Sequence, residues 1–455
     1  VLVTTHGSDT AHRISVATSA LQPPSLEQVL KIKLPSNFIV TSAGHVMGLL
    51  ILGARNGSIA LYNLENGTAP TDIIPGSEAC GVDAVTTIIA IPSSSPGDAP
   101  SHFLTTSRDG SYSIFLLSTT RATKDSSKKF SITLVHRAFP PLGPMIETAW
   151  FNESDLMIYG FRGTSFIVWN ETKQCETSSI ECGGGHRSYA YMPSVGMGGA
   201  GNLAYTRASR LHIHSQAHPS HRVVKPGGHG REIKTAATHK DFIATGAEDT
   251  VIRIWRIRKE ERQPQRVRTT ADGESGKDED TYLECCAVLE KHTAGIQHLH
   301  WCCTSEEYHS LFSAGGAEEF HVWAISDIPG FGVGVVCEAT LTDLSEDRDL
   351  RIMGFDVKFI HNNRPRSVDV RESSRGKNEI TLIYSDSTIK CYDYSRTTGF
   401  IKTAQGKYTS ACLTQIVFLG ESKVSPAFFT ASTDGHLALW DRPQRGNLEG
   451  FAVDI

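Results

Sequence analysis

The stretch that decides the fold is His239 to Ile257, which reads HKDFIATGAEDTVIRIWRI. An apolar run leads into a polar turn at Glu248-Asp249-Thr250, and an alternating run follows that ends at Trp255. Strict alternation predicts a half-buried strand, and a short acidic turn between two apolar runs predicts a β-hairpin. The stretch is therefore predicted to be two antiparallel strands.

The same unit recurs along the chain. Phe428 to Arg442, FFTASTDGHLALWDR, repeats it with Asp434-Gly435 at the turn and Trp440 at the strand end. Six weaker copies align on their closing residue, and His214 marks the weakest. The eight anchors are Tyr62, Phe115, Trp169, His214, Trp255, Trp323, Tyr392 and Trp440. Separations of 41 residues (His214 to Trp255) up to 69 (Trp323 to Tyr392) fit a four-stranded repeat of roughly 40–45 residues with loop insertions.

Composition excludes several classes of protein. The 455 residues are 39% hydrophobic and 20% charged, with a net charge of -5, which excludes a chain that is disordered overall. The sequence lacks a run of about 18 apolar residues, which a transmembrane helix would require, so no membrane partner is expected. Length alone suggests about three ordinary domains, but a large all-β fold can absorb it in one. A pI near 6.5 excludes a globally basic nucleic-acid binder, although not a local basic patch.

An Asp six residues before a strand-ending Trp resembles the WD repeat, whose family builds β-propellers. The resemblance implies an all-β WD-repeat β-propeller of seven blades, the commonest size in the family, against the eight copies counted. It also implies a buried, hydrogen-bonded set of His, Ser or Thr, Asp and Trp, which His229, Thr245, Asp249 and Trp255 match in full. We interpret this set, called the tetrad below, as structural, because a buried Trp N–H and a Thr hydroxyl need partners.

Two further copies match the tetrad in part. One has His292, Ser313 and Trp323, with Ala317 at the position of the Asp. The last copy has Thr430, Asp434 and Trp440, but no matching His.

The repeats also suggest how the chain is divided. Residues 37–455 are predicted to form the propeller, with inserted loops at 258–281 and 361–377. Residues 1–36 are predicted to be an N-terminal segment, either a closing strand or the end of a preceding propeller. Because the sequence begins at Val1 and not at Met, we expect it to be part of a longer protein.

Both predicted loops carry arginines that could bind a partner or RNA. The candidates are Arg262, Arg266 and Arg268 in the first loop, and Arg364, Arg366, Arg371 and Arg375 in the second. Such clusters can attract phosphate groups in a salt-dependent way. The alternative interpretation is a solvated loop without a binding role.

Metal-binding and catalytic motifs were not found in the sequence. The vicinal pairs Cys285-Cys286 and Cys302-Cys303 lack the C-x2-C spacing of zinc sites, and His212 and His214 follow no established ligand spacing. There is no G-x-S-x-G or H-E-x-x-H motif. We therefore expect no metal, cofactor, small-molecule substrate or enzymatic activity. Without a visible signal peptide, we expect a cytoplasmic protein with reduced thiols.

A narrower resemblance suggests a function. Gly228 to Ile233, GHGREI, followed by Thr245 to Thr250, TGAEDT, resembles the C-terminal propeller of the WD repeat-containing protein 6 family, best over 229–257. This resemblance implies a non-catalytic partner of a 2′-O-ribose methyltransferase acting at the tRNA anticodon wobble position. The implied partners are the methyltransferase catalytic subunit and tRNA. Arg231 is the residue expected to bind a phosphate or a partner carboxylate, unless it pairs with Glu232 or Glu248.

Two alternatives remain open. A generic protein-interaction scaffold could serve ubiquitin transfer, signalling or trafficking, although Trp440-Asp441-Arg442-Pro443 misplaces the Arg of the W-D-x-R motif of ligase adaptors. A propeller hydrolase is disfavoured, because no nucleophile–base motif is visible.

Overall fold

The described part of the chain contains 35 strands, most of them paired in hairpins, and no helix. The computed structural model describes residues 2–5, 8–19, 22–65, 67–79, 81–93, 101–121, 128–194, 201–216, 228–259, 281–303, 309–345, 349–360, 377–408, 411–419, 428–441, 446–447 and 449–453. The strands form nine small sheets. Neighbouring strands run antiparallel, apart from one two-residue parallel pairing of the short strand Gly446–Asn447.

The chain separates into two compact units, of which the first comprises Val1–Gly227 and Asp327–Gly334. Its sheets are β1 (Leu2–Thr4), β2 (Thr10–Ser19), β3 (Gln22–Lys33); β4 (Val40–Val46), β5 (Leu49–Ala54), β6 (Ile59–Tyr62), β7 (Asp72–Ile74); β8 (Val85–Ala90), β9 (His102–Ser107), β10 (Tyr112–Arg121), β11 (Lys128–Ala138); β12 (Ile146–Asn152), β13 (Asp155–Arg162), β14 (Ser165–Asn170), β15 (Cys175–Glu181); and β16 (Tyr189–Pro193), β17 (Gly201–Arg207), β18 (Arg210–Gln216).

The second unit comprises Gly228–Ser326 and Val335–Ile455, and one of its sheets includes residues 327–328 and 332–334 of the first unit. Its sheets are β19 (Ile233–His239), β20 (Phe242–Ala247), β21 (Ile252–Lys259), β22 (Thr281–Leu289); β23 (Ile296–Cys303), β24 (His309–Gly315), β25 (Phe320–Ile328), β26 (Gly332–Thr340); β27 (Ile352–Ile360), β28 (Lys377–Tyr384), β29 (Thr388–Ser395), β30 (Gly399–Lys407), β34 (Gly446–Asn447); and β31 (Leu413–Phe418), β32 (Phe428–Ser432), β33 (Leu437–Asp441), β35 (Glu449–Val453).

The hairpin between the second and third strands repeats one turn chemistry. An Asp or Asn side-chain oxygen accepts the backbone N–H two residues on, at 2.9–3.2 Å, and the residue between them has a positive φ. These turns lie at Asn56-Gly57, Asp109-Gly110, Asp249-Thr250, Asp386-Ser387 and Asp434-Gly435. Asn and Asp tolerate such tight turns because their side chains bond the local backbone.

The hydrophobic core is a series of clusters between successive sheets. Within the first unit, one cluster joins Val85 and Phe103 to Ile51 and Leu61 of the preceding sheet. Within the second unit, another joins Phe320 to Ile380 and other residues of the next sheet. These sheets thus bury a face against the next sheet of the same unit, which is how stacked β repeats are stabilised.

The predicted all-β class is confirmed, and the succession of small antiparallel sheets is consistent with a β-propeller. All eight predicted anchors lie on the third strand of a separate sheet. The division at residue 36 stays a prediction. Of the predicted loop residues, Arg258, Lys259 and Thr281 lie in β21 and β22, and Lys377 begins β28.

No helix of the described residues is long and apolar enough to cross a membrane.

Candidate functional site

The four tetrad side chains meet at the start of the second unit. The indole N–H of Trp255 on β21 donates to Thr245 Oγ1 on β20 at 2.8 Å. His229 Nε2 lies 2.8 Å from the same hydroxyl, and its Nδ1 lies 3.1 Å from the carboxylate of Asp249. A neutral His229 with its proton on Nδ1 satisfies every contact, since the Thr245 hydroxyl can then donate to Nε2. The four side chains bond one another, and the stabilising role of the tetrad stays a prediction.

Asp249 also fixes the backbone that leads into β19. It accepts the Gly230 N–H at 2.8 Å and the Val251 N–H at 3.1 Å. Burial alone would raise the pKa of Asp249, but these two amides and His229 hold it below its ordinary value. The carboxylate therefore stays charged. It holds the backbone at Gly230, the residue before Arg231.

The second copy of the tetrad is complete, although the sequence comparison found Ala317 where an Asp was expected. His292 Nε2 lies 2.8 Å from Ser313 Oγ, to which the Trp323 indole donates at 2.9 Å. Glu319 supplies the carboxylate, with Oε2 3.1 Å from His292 Nδ1. It also accepts the Thr293 N–H at 2.9 Å, as Asp249 accepts that of Gly230.

In the third copy, a phenol contacts the turn aspartate. Trp440 donates to Thr430 Oγ1 at 2.8 Å, and the hydroxyl of Tyr408 donates to Asp434 at 2.9 Å. Tyr408 lies just after β30, outside the repeat unit aligned on Trp440. The sequence pattern called for a histidine, so it did not point to this tyrosine.

Arg231 is exposed and makes no ion pair among the described residues. The two carboxylates weighed as its partners are both bound by Lys234, whose Nζ lies 2.8 Å from Glu232 and 3.0 Å from Glu248. The Arg231 guanidinium is thus available to an external anion. Its role in binding remains a prediction.

Residues 260–280 and 361–376 lie outside the described residues. They contain Arg262, Arg266, Arg268, Arg364, Arg366, Arg371 and Arg375.

A second buried polar network, which the sequence did not predict, lies in the first unit. His136 Nε2 lies 2.8 Å from the hydroxyl of Tyr112, which donates to Glu171 at 3.0 Å. The anchor Trp169 donates to the same carboxylate at 2.7 Å. Burial lowers the pKa of His136 to about 3, so the imidazole is neutral. The only signal in the sequence was a Glu two residues after an anchor.

The sheet of β16, β17 and β18 exposes an apolar edge. It has three strands, and its last strand carries exposed Leu211 and Ile213, at 67% and 70% exposure. His212 alternates with these residues, and its ring stacks on Tyr205 with centroids 5.1 Å apart. The predicted pair His212 and His214 therefore shares a strand with an apolar surface.

No family model matches the chain. It is similar to the tRNA (34-2′-O)-methyltransferase regulator WDR6 of Homo sapiens and that of Pongo abelii, at 29% identity over 99 residues in each case. The match covers 21% of this chain and 8% of each relative. Among solved structures, the computationally designed Ika8 protein aligns with 89% of this chain and 96% of its own, at 12% identity and a TM-score of 0.28.

Proposed function

We propose that this chain is a non-catalytic WD-repeat subunit that binds tRNA, a 2′-O-ribose methyltransferase, or both, for modification of the anticodon wobble nucleotide. The observation that carries the proposal is the similarity over 99 residues to a protein named as a regulator of tRNA 34-2′-O-methylation. Because that match spans 8% of the relative, the relative's activity and partners are only a proposal for this chain.

The tetrad and Arg231 supply a local means of binding. Asp249 fixes the backbone at Gly230, and the exposed guanidinium of the next residue has no ion pair among the described residues. A guanidinium forks onto two oxygens of a phosphate or carboxylate. A site held by rigid backbone loses less conformational entropy when it binds.

The proposed contribution to catalysis is positioning. A subunit that holds tRNA and enzyme together makes methyl transfer effectively unimolecular, and orientation of this kind can lower a barrier by several kcal/mol. This mechanism requires no acid, base or nucleophile from the present chain.

Arg231→Ala tests the binding residue. The full chain is mixed with labelled unmodified tRNA, with the methyltransferase catalytic subunit, and with both, and the dissociation constants are measured at two salt concentrations. We expect R231A to weaken one of these complexes about tenfold, which corresponds to one lost charge-assisted contact. Arg55→Ala is the matched control, because Arg55 is also exposed beside a hairpin turn and without an ion pair among the described residues. Equal affinities for R231A and R55A would exclude Arg231 from the interface.

A generic protein scaffold is the second candidate, favoured by the exposed apolar edge at Leu211 and Ile213. The double variant Leu211→Ser/Ile213→Ser separates the two proposals. If β18 is the binding surface, the double variant loses protein partners in affinity purification while R231A retains them.

A further inference from the structure

Three potential metal ligands converge at the second tetrad copy. His292 precedes β23, Glu319 lies in the turn before β25, and His321 lies on β25. One ligand atom from each of the three side chains lies within 4.8 Å of the others. The two imidazole centroids are 4.5 Å apart. The fold thus brings together two nitrogens and a carboxylate oxygen from residues that no short motif connects.

His321 has a buried ring nitrogen without a hydrogen-bond partner among the described residues. Its side chain is buried, with the residue only 3% exposed, and its Nδ1 lies 3.0 Å from Thr340 Oγ1. Its Nε2 is buried and has no hydrogen-bond partner among the described residues. An unsatisfied buried polar atom costs about 1 to 3 kcal/mol. A bound cation would remove this cost at Nε2.

Each ligand is oriented by a second contact. Glu319 accepts both the N–H and the hydroxyl of Thr293, His292 Nε2 contacts Ser313, and Thr340 holds His321. Histidine ligands in metal sites almost always bond a partner through their other ring nitrogen.

We propose that His292, Glu319 and His321 bind one divalent transition-metal ion of the zinc type, with the remaining coordination position open to water. Two imidazoles and a carboxylate suit zinc better than calcium or magnesium, which prefer oxygen ligands. His292 Nδ1 and Glu319 Oε2 are 3.1 Å apart, close to the separation of about 3.3 Å between two ligands on tetrahedral zinc. The ligand atom of His321 lies within 4.8 Å of the other two and would move closer on binding. The ion would tie the turn before β25 to the entry of β23. This proposal revises the expectation of no metal, which rested on local spacing.

The first tetrad is a natural comparison within the same chain. His229 and Asp249 correspond to His292 and Glu319, but Arg253 occupies the position two residues before the anchor where the second copy has His321. A cationic guanidinium cannot bind a metal ion. The proposal therefore assigns the site to the second copy.

Metal binding to the full chain tests the proposal. The chain is freed of metal with a chelator, kept reduced, and titrated with zinc chloride against a colorimetric chelator, and separately with cobalt chloride. We expect one tight equivalent of zinc, a higher thermal midpoint, and visible cobalt bands of four- or five-coordinate geometry without a thiolate charge-transfer band. His321→Gln should lose the tight equivalent and the cobalt bands. His309→Gln, at another buried histidine of the same sheet, should retain them.

Three results would overturn the proposal. One is a wild-type chain that holds no tight equivalent, which can be measured whether or not the variant folds. Another is a folded H321Q chain that binds zinc as tightly as wild type. The third is cobalt bound with thiolate bands, because the ion would then be on cysteines.

Discussion

The tryptophan N–H and the hydroxyl of each tetrad copy need hydrogen-bond partners, and different residues can supply them. The sequence pattern predicted His229, Thr245, Asp249 and Trp255, and their side chains meet at 2.8–3.1 Å. The same pattern could not predict Glu319, because a longer side chain reaches His292 from a different position along the chain. Hydrogen bonds depend on where atoms lie and not on residue spacing, so such replacements are invisible to alignment.

Thr245→Val tests the stabilising role of the tetrad. Valine keeps the shape but removes the hydroxyl between Trp255 and His229, and leaves the indole N–H unpaired. We expect a loss of about 1 kcal/mol in unfolding free energy, the net contribution of one partly buried hydrogen bond, seen as a lower urea midpoint. Thr238→Val on exposed β19 is the control. A T245V midpoint equal to that of T238V would show that the tetrad contributes nothing to stability.

His136 predicts how stability depends on pH. Its folded pKa of about 3 lies below the ordinary 6.5, so only the unfolded chain gains this proton as the pH falls from 6.5 towards 3. The imidazole is enclosed by Tyr112, which bonds Glu171, and by Phe331. This histidine should therefore cost about 2 kcal/mol of stability between pH 6.5 and 5.

Thermal unfolding of wild type and His136→Gln at pH 7 and pH 5 measures this effect. The midpoint of wild type should fall further on acidification than that of the variant. Parallel decreases would show that His136 does not remain neutral in the folded chain.

At the scale of the element, the hairpin was predictable and the bulge was not. Alternation and turn residues predicted the strands that end at Trp255 and Trp440. In four sheets, however, the third strand shifts register with the fourth immediately before its anchor, at Phe115, Trp169, Trp255 and Tyr392. A bulge re-aims side chains, but it depends on the partner strand and leaves no local signal in composition.

Two turn glycines separate conformational strain from crowding. Gly57 and Gly435 have φ of 79° and 85°. A Cβ at Gly435 would meet nothing within 4 Å, whereas one at Gly57 would clash with the Gly81 carbonyl. Gly435→Ala should cost about 1 to 2 kcal/mol for the left-handed conformation. Gly57→Ala should cost about 1 to 3 kcal/mol more, because backbone must move.

Hydrogen exchange by mass spectrometry of the two hairpins measures these local costs. The amides of β5 and β6 should lose more protection in G57A than those of β32 and β33 lose in G435A. The reverse order would contradict the packing at Gly57.

At the scale of the whole chain, the eight repeat copies lie on eight of the nine sheets of the described residues, and the number of seven blades stays a prediction. The exception is the sheet of β1, β2 and β3, whose residues carry no copy of the repeat. Its Ala11 and Ile32 pack against Leu52 and Tyr62 of the next sheet, a contact between sheets that periodicity within a strand cannot predict. The net charge of -5 does not reveal local positive charge. Arg231, for example, is exposed and makes no ion pair among the described residues.

The central claim is that the chain assists wobble-ribose methylation without performing it. The most direct measurement is the initial rate of 2′-O-methylation of unmodified tRNA by the methyltransferase catalytic subunit, with and without the full chain. The account predicts a rate increase that R231A reduces and R55A does not, and no methylation by the chain alone. A rate that stays unchanged at saturating chain, with no binding to tRNA or enzyme, would contradict it.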